Sequence, residues 1–332
     1  MIVPRAHLVP HVFDRAKLEG KPTRMGYGEG LVSAADENKN IVALCADLTE
    51  STQTHHFQKK YPDRFVEMGV AEQNLASVAS GMAAMGKIPF IASYAMFSPG
   101  RNWEQIRTTI CYNEQNVKVV GAHAGVSVGP DGATHQAIED IAIMRVIPHM
   151  VVLSPCDALE AKKATIAAAR FFGPVYIRFH REKTPVFTTE ETPFEIGKAE
   201  IFFEPSGEPD VAIIAMGPLV HNALLAAEAL AKEGVGVRVI NSPSVKPLDG
   251  MIVEKAARDA GCIVTVEEHQ IAGGLGSAVA EFLSSIYPVP IEFIGMRDRF
   301  GESGEPDELV EYFGMGVLSI QEVVRKVMKR KK

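Results

Sequence analysis

Glu72 stands in MGVAEQN, just past Gly69 and at the head of a long run of Ala, Ser and Met. An acid there faces the positive end of a helix, which stabilises its charge. That reads either as an ordinary first-turn carboxylate or as an acid presented at a strand–helix crevice. Burial against an apolar ligand favours the protonated carboxyl, the form able to exchange a proton. Tyr94 and Phe97 close the following strand, as core packing or as a platform on which a flat heterocycle stacks. The loop GPDGATHQ (129–136) gathers Asp131, Thr134 and His135 just before a helix. It is a solvated turn or a set of contacts for a polyol or carbonyl substrate, and His123 lies close enough in sequence to face the same cavity. Arg181, with Arg178 and His180, ends another strand. Such a cluster is surface charge or a phosphate site, because arginine meets phosphate oxygens bidentately. Arg24 and Ser51 are further candidate anion contacts. No compact His/Asp/Glu/Cys set has metal-ligand spacing, so no metal site is expected within this chain. GYGEG at 26–30 lacks both the preceding strand and the spacing of a nucleotide fingerprint.

The elements that must carry these groups alternate. NIVALCADL, with Asp47 at its C-terminal end, is a strand, then FVEMGV, IPFIAS, VKVVGAHAG, MVVLSP and PVYIRFHR. Continuous apolar runs of this length are strands buried on both faces. Between them the pattern predicts helices over Tyr27–Glu37, Glu72–Met85, 102–115, Ala133–Arg145 and DALEAKKATIAAARFF, the last capped by Asp157. An initial helix is expected around His11–Glu19. Periodicity lapses over 182–209, which is rich in Pro and reads as a linker with room for a short strand pair over Glu195–Phe203. A second unit follows, with strands VAIIAMG, VGVRVINSP, CIVTVEEH and IEFIGM and intervening helices. Repeated β-α units with short connections give an open, mostly parallel sheet covered by helices. The expected division is an arm over 1–22, a first α/β unit over 23–184, a linker over 185–209 and a second α/β unit over 210–332.

The chain has 332 residues, 46% of them hydrophobic, enough for about two domains with real cores. Its net charge of -7, from 34 Lys+Arg against 41 Asp+Glu, argues against nucleic-acid or membrane partners. The N-terminus shows no charged n-region followed by an apolar stretch, and no run reaches transmembrane length. Cys45, Cys111, Cys156 and Cys262 are scattered and read as free thiols of a reducing compartment, so a cytoplasmic location is expected.

Taken together, ADLTEST, FVEMGVAEQNLASVASGMAAMG, AHAGVSVGPDGATHQAIEDIAIMR, IRFHR and VKPLD with VEEHQIAGGLG resemble transketolase. They keep that family's order and span essentially the whole chain. What they resemble is its C-terminal half, the pyrimidine-binding domain followed by the transketolase C-terminal domain. The resemblance implies two three-layer α/β/α domains and thiamine diphosphate as cofactor. It implies that Glu72 holds a proton against the aminopyrimidine ring and helps form the ylid, and that Phe97 stacks on that ring with Tyr94 beside it. Asp47 takes a supporting place near the cofactor. His135 and Asp131 match substrate-contacting positions, with His135 a catalytic proton handler. His123, Arg181, Arg24 and Ser51 match the sugar-phosphate end of the channel. The implied reaction is two-carbon transfer from a ketose phosphate to an aldose phosphate in the pentose phosphate pathway.

The departure from the family is the whole diphosphate-binding domain. No GDG motif with its following asparagine is present to hold Mg2+ and the diphosphate. The resemblance therefore implies a split transketolase, inactive alone and completed by a separate N-terminal subunit that holds most of the Mg2+ and diphosphate contacts. Self-association in an α2β2 assembly is expected. A smaller departure is Gly100, where many transketolases carry an aromatic. A 1-deoxyxylulose-5-phosphate synthase or the β subunit of a 2-oxoacid dehydrogenase shares the general fold, and a non-catalytic assembly protein is the reading from another class. Survival of Glu72, Phe97, Asp131, His135 and Arg181 together argues against the last.

Overall fold

The apolar runs become strands whose successive residues face opposite layers. In the computed structural model, which describes residues 1–331, Ala43, Phe90 and Val120 pack on one side of a sheet and Leu44, Ile91 and Val119 on the other. The strands are β1 (Gly20–Pro22), β2 (Ile41–Cys45), β3 (Phe65–Glu67), β4 (Ile88–Tyr94), β5 (Lys118–Ala122), β6 (Val151–Leu153), β7 (Val175–Arg178) and β8 (Lys183–Pro185). They continue with β9 (Glu200–Phe203), β10 (Val211–Ala215), β11 (Val237–Asn241), β12 (Ser244–Lys246), β13 (Ile263–Gln270) and β14 (Ile291–Met296). Among the described residues they form a sheet ordered β12-β6-β7-β5-β4-β2-β3, a sheet ordered β14-β13-β10-β11-β9, and the small ribbon β1-β8. Both large sheets are parallel except for one antiparallel edge strand each, β12 and β9. Phe90 pairs with Lys118, and Lys118 with Val175, which brings the ends of β4, β5 and β7 to one rim.

The helices are α1 (Thr23–Glu37), α2 (His55–Lys60), α3 (Glu72–Ala84), α4 (Trp103–Gln105), α5 (Asp140–Arg145), α6 (Ala158–Arg170), α7 (Leu219–Lys232), α8 (Gly250–Ala260), α9 (Leu275–Ile286), α10 (Pro306–Tyr312) and α11 (Val317–Met328). Helices α1 and α6 cover one face of the first sheet through Tyr27, Leu31, Ala164 and Ala168, and α3 covers the other through Leu75, Ala76 and Ala79. Around the second sheet, α7 and α11 lie on one face and α8 and α9 on the other. Gly30 lets α1 and α6 meet backbone to backbone, since a Cβ there would stand 2.7 Å from the Lys162 carbonyl oxygen. Expectation and structure agree on a mixed α/β fold with parallel sheets.

Several local expectations need correction. The helix placed over Ala133–Arg145 begins only at Asp140. The Gln136 side chain diverts the chain by donating to the carbonyls of Val126, Gly129 and Glu302 at 3.0, 3.4 and 2.9 Å. The initial helix over His11–Glu19 is only a 3-10 turn at Arg15–Lys17. Val12 and Ala6 instead insert into the second sheet's core, and the Val12 carbonyl meets His221 Nε2 at 2.9 Å. Within 182–209, β9 falls inside the Glu195–Phe203 stretch expected to hold strands, whereas β8 is unexpected, and β12, sequentially part of the second unit, closes the edge of the first sheet. The helix from Trp103 relaxes into a π-turn over Ile106–Cys111. Lys332, the last residue of the expected second unit, lies outside the described residues.

The Asp157 cap forms as its sequence position predicts, and it does more. One carboxylate oxygen accepts from Leu159 N, Glu160 N and Thr188 Oγ1 at 3.0, 2.9 and 2.8 Å, the other from Phe187 N and Thr188 N at 2.9 and 2.8 Å. Buried donors left without an acceptor are expensive, so Asp157→Ala is expected to cost about 3 kcal/mol of stability. Denaturant unfolding checks this, and an unchanged midpoint would contradict it. All four cysteines are buried and free. Among the described residues, no helix is long and apolar enough to cross a membrane.

Candidate active site

The rim where β2, β4, β5 and β7 end gathers most of the residues singled out by chemistry. Glu72 is the first residue of α3 and is buried at 4% exposure. Its Oε1 accepts a 3.0 Å bond from Arg101 Nη1, and its backbone carbonyl accepts one of the same length from Asn102 Nδ2. The Arg101 guanidinium lies 4.2 Å from the centre of the Phe97 ring. A flat, nitrogen-bearing cation is thus held between the Glu72 carboxylate and an aromatic face. The cleft beside it opens outward and is lined by Val70, Ala71, Glu72, Gln73, Asn74 and Arg101.

Behind this pair lies an aromatic cluster. Tyr94 stacks on His123 with centroids 3.8 Å apart and planes 23° apart, and on Phe97 at 5.8 Å and 20°. His135 meets Phe97 edge-on at 5.4 Å, and its Nδ1 is 2.9 Å from Thr134 Oγ1. Burial, reinforced by Arg24, Arg181 and His135, pushes the His123 imidazole down to about 3, so it is neutral through the physiological range. Its Nδ1 has no partner among the described residues. A neutral, buried imidazole with a free ring nitrogen suits a polar ligand atom reaching this depth.

The arginines stand at the neighbouring edge. Arg24 donates to the Arg181 carbonyl at 3.1 Å and to the Ser51 carbonyl at 2.6 Å, tying α1 to the end of β7 and to the loop after β2. Arg181 donates to the Val128 carbonyl at 2.8 Å and stands 3.3 Å from Asp131 Oδ1. Both guanidiniums and His123 are therefore assembled with the Asp131 loop. Arg178, which the sequence grouped with Arg181, is turned away: it is fully buried, with Nε 2.9 Å from Asp140 Oδ2. Burial alone would raise Asp140, but Arg178, His269 and the Tyr176 hydroxyl together outweigh it and hold that carboxyl low. Asp47 sits at the end of β2 with a left-handed φ of 56°, its amide donating to Glu67 Oε1 at 2.8 Å. Glu67 also accepts from Thr49 Oγ1 at 2.7 Å and Gly69 N at 3.0 Å, so one carboxylate shapes both the Asp47 turn and the approach to Glu72.

Sequence reasoning missed Arg101, Asn102 and Glu67. Arg101 had a usable signal: it lies four residues after Phe97, one turn on, and its amide bonds the Phe97 carbonyl at 2.8 Å. Glu67 had none, because its role depends on the pairing of β2 with β3.

Two mostly parallel sheets place an acid, a stacked aromatic and paired arginines at strand ends, where α/β proteins bind their ligands. The transketolase pyrimidine-binding domain matches residues 19–186 and the transketolase C-terminal domain matches residues 197–320. A provisionally named transketolase C-terminal section of Methanocaldococcus jannaschii is 45% identical over 319 residues, 95% of this chain and 99% of that one. The 6-deoxy-6-sulfo-D-fructose transketolase subunit SqwH of Clostridium sp. is 41% identical over 95% of this chain and 97% of its own. A solved structure, "Split gene transketolase, inactive beta4 tetramer", superposes with a TM-score of 0.87 at 44% identity, covering 94% of this chain and all of that one. The chain belongs to the transketolase family and carries its pyrimidine-binding and C-terminal domains.

Proposed function

We propose that this chain is the cofactor-pyrimidine subunit of a split transketolase, moving a two-carbon glycolaldehyde unit from a ketose phosphate to an aldose phosphate. Residues 23–184 serve as the pyrimidine-binding unit and 210–332 as the second domain. The observation that carries the reading is the slot between Glu72 and Phe97, which already accepts a flat cation with N–H donors. An aminopyrimidine has the same shape and hydrogen-bonding character, so the residues fit that half of thiamine diphosphate. When bound, the cofactor supplies a carbon nucleophile and an electron sink for carbon–carbon cleavage. Glu72 holds and returns the proton on the ring edge, Phe97 covers the ring with Tyr94 behind it, and Asp47 supports the adjoining turn. His135 handles a proton at a substrate hydroxyl, Asp131 accepts from another, and Arg24, Arg181, Ser51 and neutral His123 face the terminal oxyanion.

A separate N-terminal subunit supplies the diphosphate and Mg2+ contacts, in an α2β2 assembly. The test is transfer from xylulose 5-phosphate to ribose 5-phosphate by this chain mixed with that subunit, Mg2+ and cofactor. The relative named for 6-deoxy-6-sulfo-D-fructose makes a sulfonate-terminated ketose the informative second donor. Activity on the sulfonate alone would replace the phosphate reading.

Arg101 occupies the slot that the ring requires, so cofactor entry must displace it. Its side chain is half exposed, and breaking the ion pair and cation–π contact costs about 1 kcal/mol. Arg101→Gln is expected to tighten thiamine diphosphate binding to the assembled complex by about fivefold, measured by titration calorimetry. Weaker binding would show that Arg101 instead contacts the bound ring.

A further inference from the structure

The second domain carries none of the residues assigned to chemistry above, yet it grips the loop that presents them. Glu268, at the end of β13 and 3% exposed, sends its side chain across to the first domain. Its Oε1 accepts the Ser127 amide at 2.6 Å, and its Oε2 is 3.3 Å from Nε2 of His180, the residue before Arg181. Arg178 ties the same place down from below, donating to the Ala137 carbonyl at 3.1 Å and the Glu268 carbonyl at 2.8 Å.

A second contact closes over the loop from outside. Gln136 Nε2 donates 2.9 Å to the Glu302 carbonyl. Gly129 and Gly132 have φ of 79° and 73°, and a Cβ would meet Pro306 Cγ at 3.0 Å in the first case and Ser303 Oγ at 2.5 Å in the second. A Cβ on Gly301 would collide with Gln136 Oε1. The loop glycines thus serve both the left-handed turn and the close approach of the Gly301–Pro306 segment.

We propose that the second domain acts as a positioning clamp: Glu268 and the Gly301–Pro306 segment set the 126–136 loop, and through it the placement of Asp131, His135 and Arg181 toward substrate. Glu268 is a positioning residue, since it reaches the substrate groups only through Ser127 and His180. Removing one partner of a buried hydrogen bond shifts a local opening equilibrium by about tenfold.

The substrate arm of this inference rests on the proposed function, whereas its structural arm does not. Hydrogen exchange on the intact chain compares Glu268→Ala, Glu268→Gln and Gly301→Ala with the native sequence. Glu268→Ala and Gly301→Ala are expected to speed exchange in 126–136 about tenfold with α6 unchanged. Glu268→Gln keeps an oxygen for the Ser127 amide and is expected to stay within about threefold. In the assembled complex Glu268→Ala is expected to raise the donor KM about tenfold with cofactor affinity within about twofold. Unchanged exchange in 126–136, or a rise shared equally with α6, overturns the clamp. If Glu268→Ala does not fold, Gly301→Ala decides on the same criteria. An unchanged donor KM alongside faster loop exchange overturns the substrate arm. A native complex that transfers no two-carbon unit defeats the functional reading and leaves the exchange result to judge the clamp.

Discussion

Glu72→Gln in the assembled complex is expected to lower two-carbon transfer about 1,000-fold while the chain stays folded, the size of effect that follows loss of a positioned general acid or base. Glutamine keeps the shape of the side chain and can still accept from Arg101, but it cannot take up and return a proton. The stability cost is small by comparison. The Arg101–Glu72 pair has one half-exposed partner, and such pairs contribute below about 1 kcal/mol. A thermal melt beside the rate measurement separates the two effects. Full activity in Glu72→Gln would remove Glu72 from the mechanism, whereas low activity with a collapsed melt would make it structural.

Arg181→Ala is expected to raise KM for a phosphorylated donor about 100-fold with a smaller fall in kcat. The guanidinium would lose its charge-assisted contacts to the oxyanion, each worth about 1.5–3 kcal/mol. Part of the effect comes from within the chain, because Arg181 also fixes Val128 and Asp131. Arg181→Lys keeps the charge but loses the fork, so it should recover only part of the loss. Steady-state kinetics with a phosphorylated and a non-phosphorylated ketose check the assignment. A KM that rises equally for both donors would place the role of Arg181 in the loop alone.

The alternating apolar strands and helices made the α/β architecture legible, because a parallel strand buried on both faces leaves an unbroken apolar run. The Asp157 cap was legible for the same local reason. What the sequence hid is long-range. Ala133–Arg145 has helical composition, but Gln136 spends its amide on three carbonyls, one from the second domain, and delays the helix to Asp140. The arm before β1 has no periodicity to betray that Val12 and Ala6 join the second core. Strand β12 pairs with β6 of the first sheet, and no local marker in the sequence announces it. At the site, Glu72, Phe97, Asp131, His135 and Arg181 were visible as residue types at strand and helix ends. Arg178 looked like their companion and is instead buried against Asp140, while for Arg101 the spacing from Phe97 was legible but the contact with Glu72, 29 residues away, was not.

The measurement that bears most directly on the central claim is reconstitution. This chain, a separate diphosphate-binding transketolase subunit, Mg2+ and thiamine diphosphate are assayed singly and together for two-carbon transfer between xylulose 5-phosphate and ribose 5-phosphate. The half-site of Glu72 and Phe97 predicts no transfer by either chain alone and steady transfer by the mixture, lost again in the Glu72→Gln mixture. Transfer by this chain alone, or none in a fully assembled complex, would contradict it.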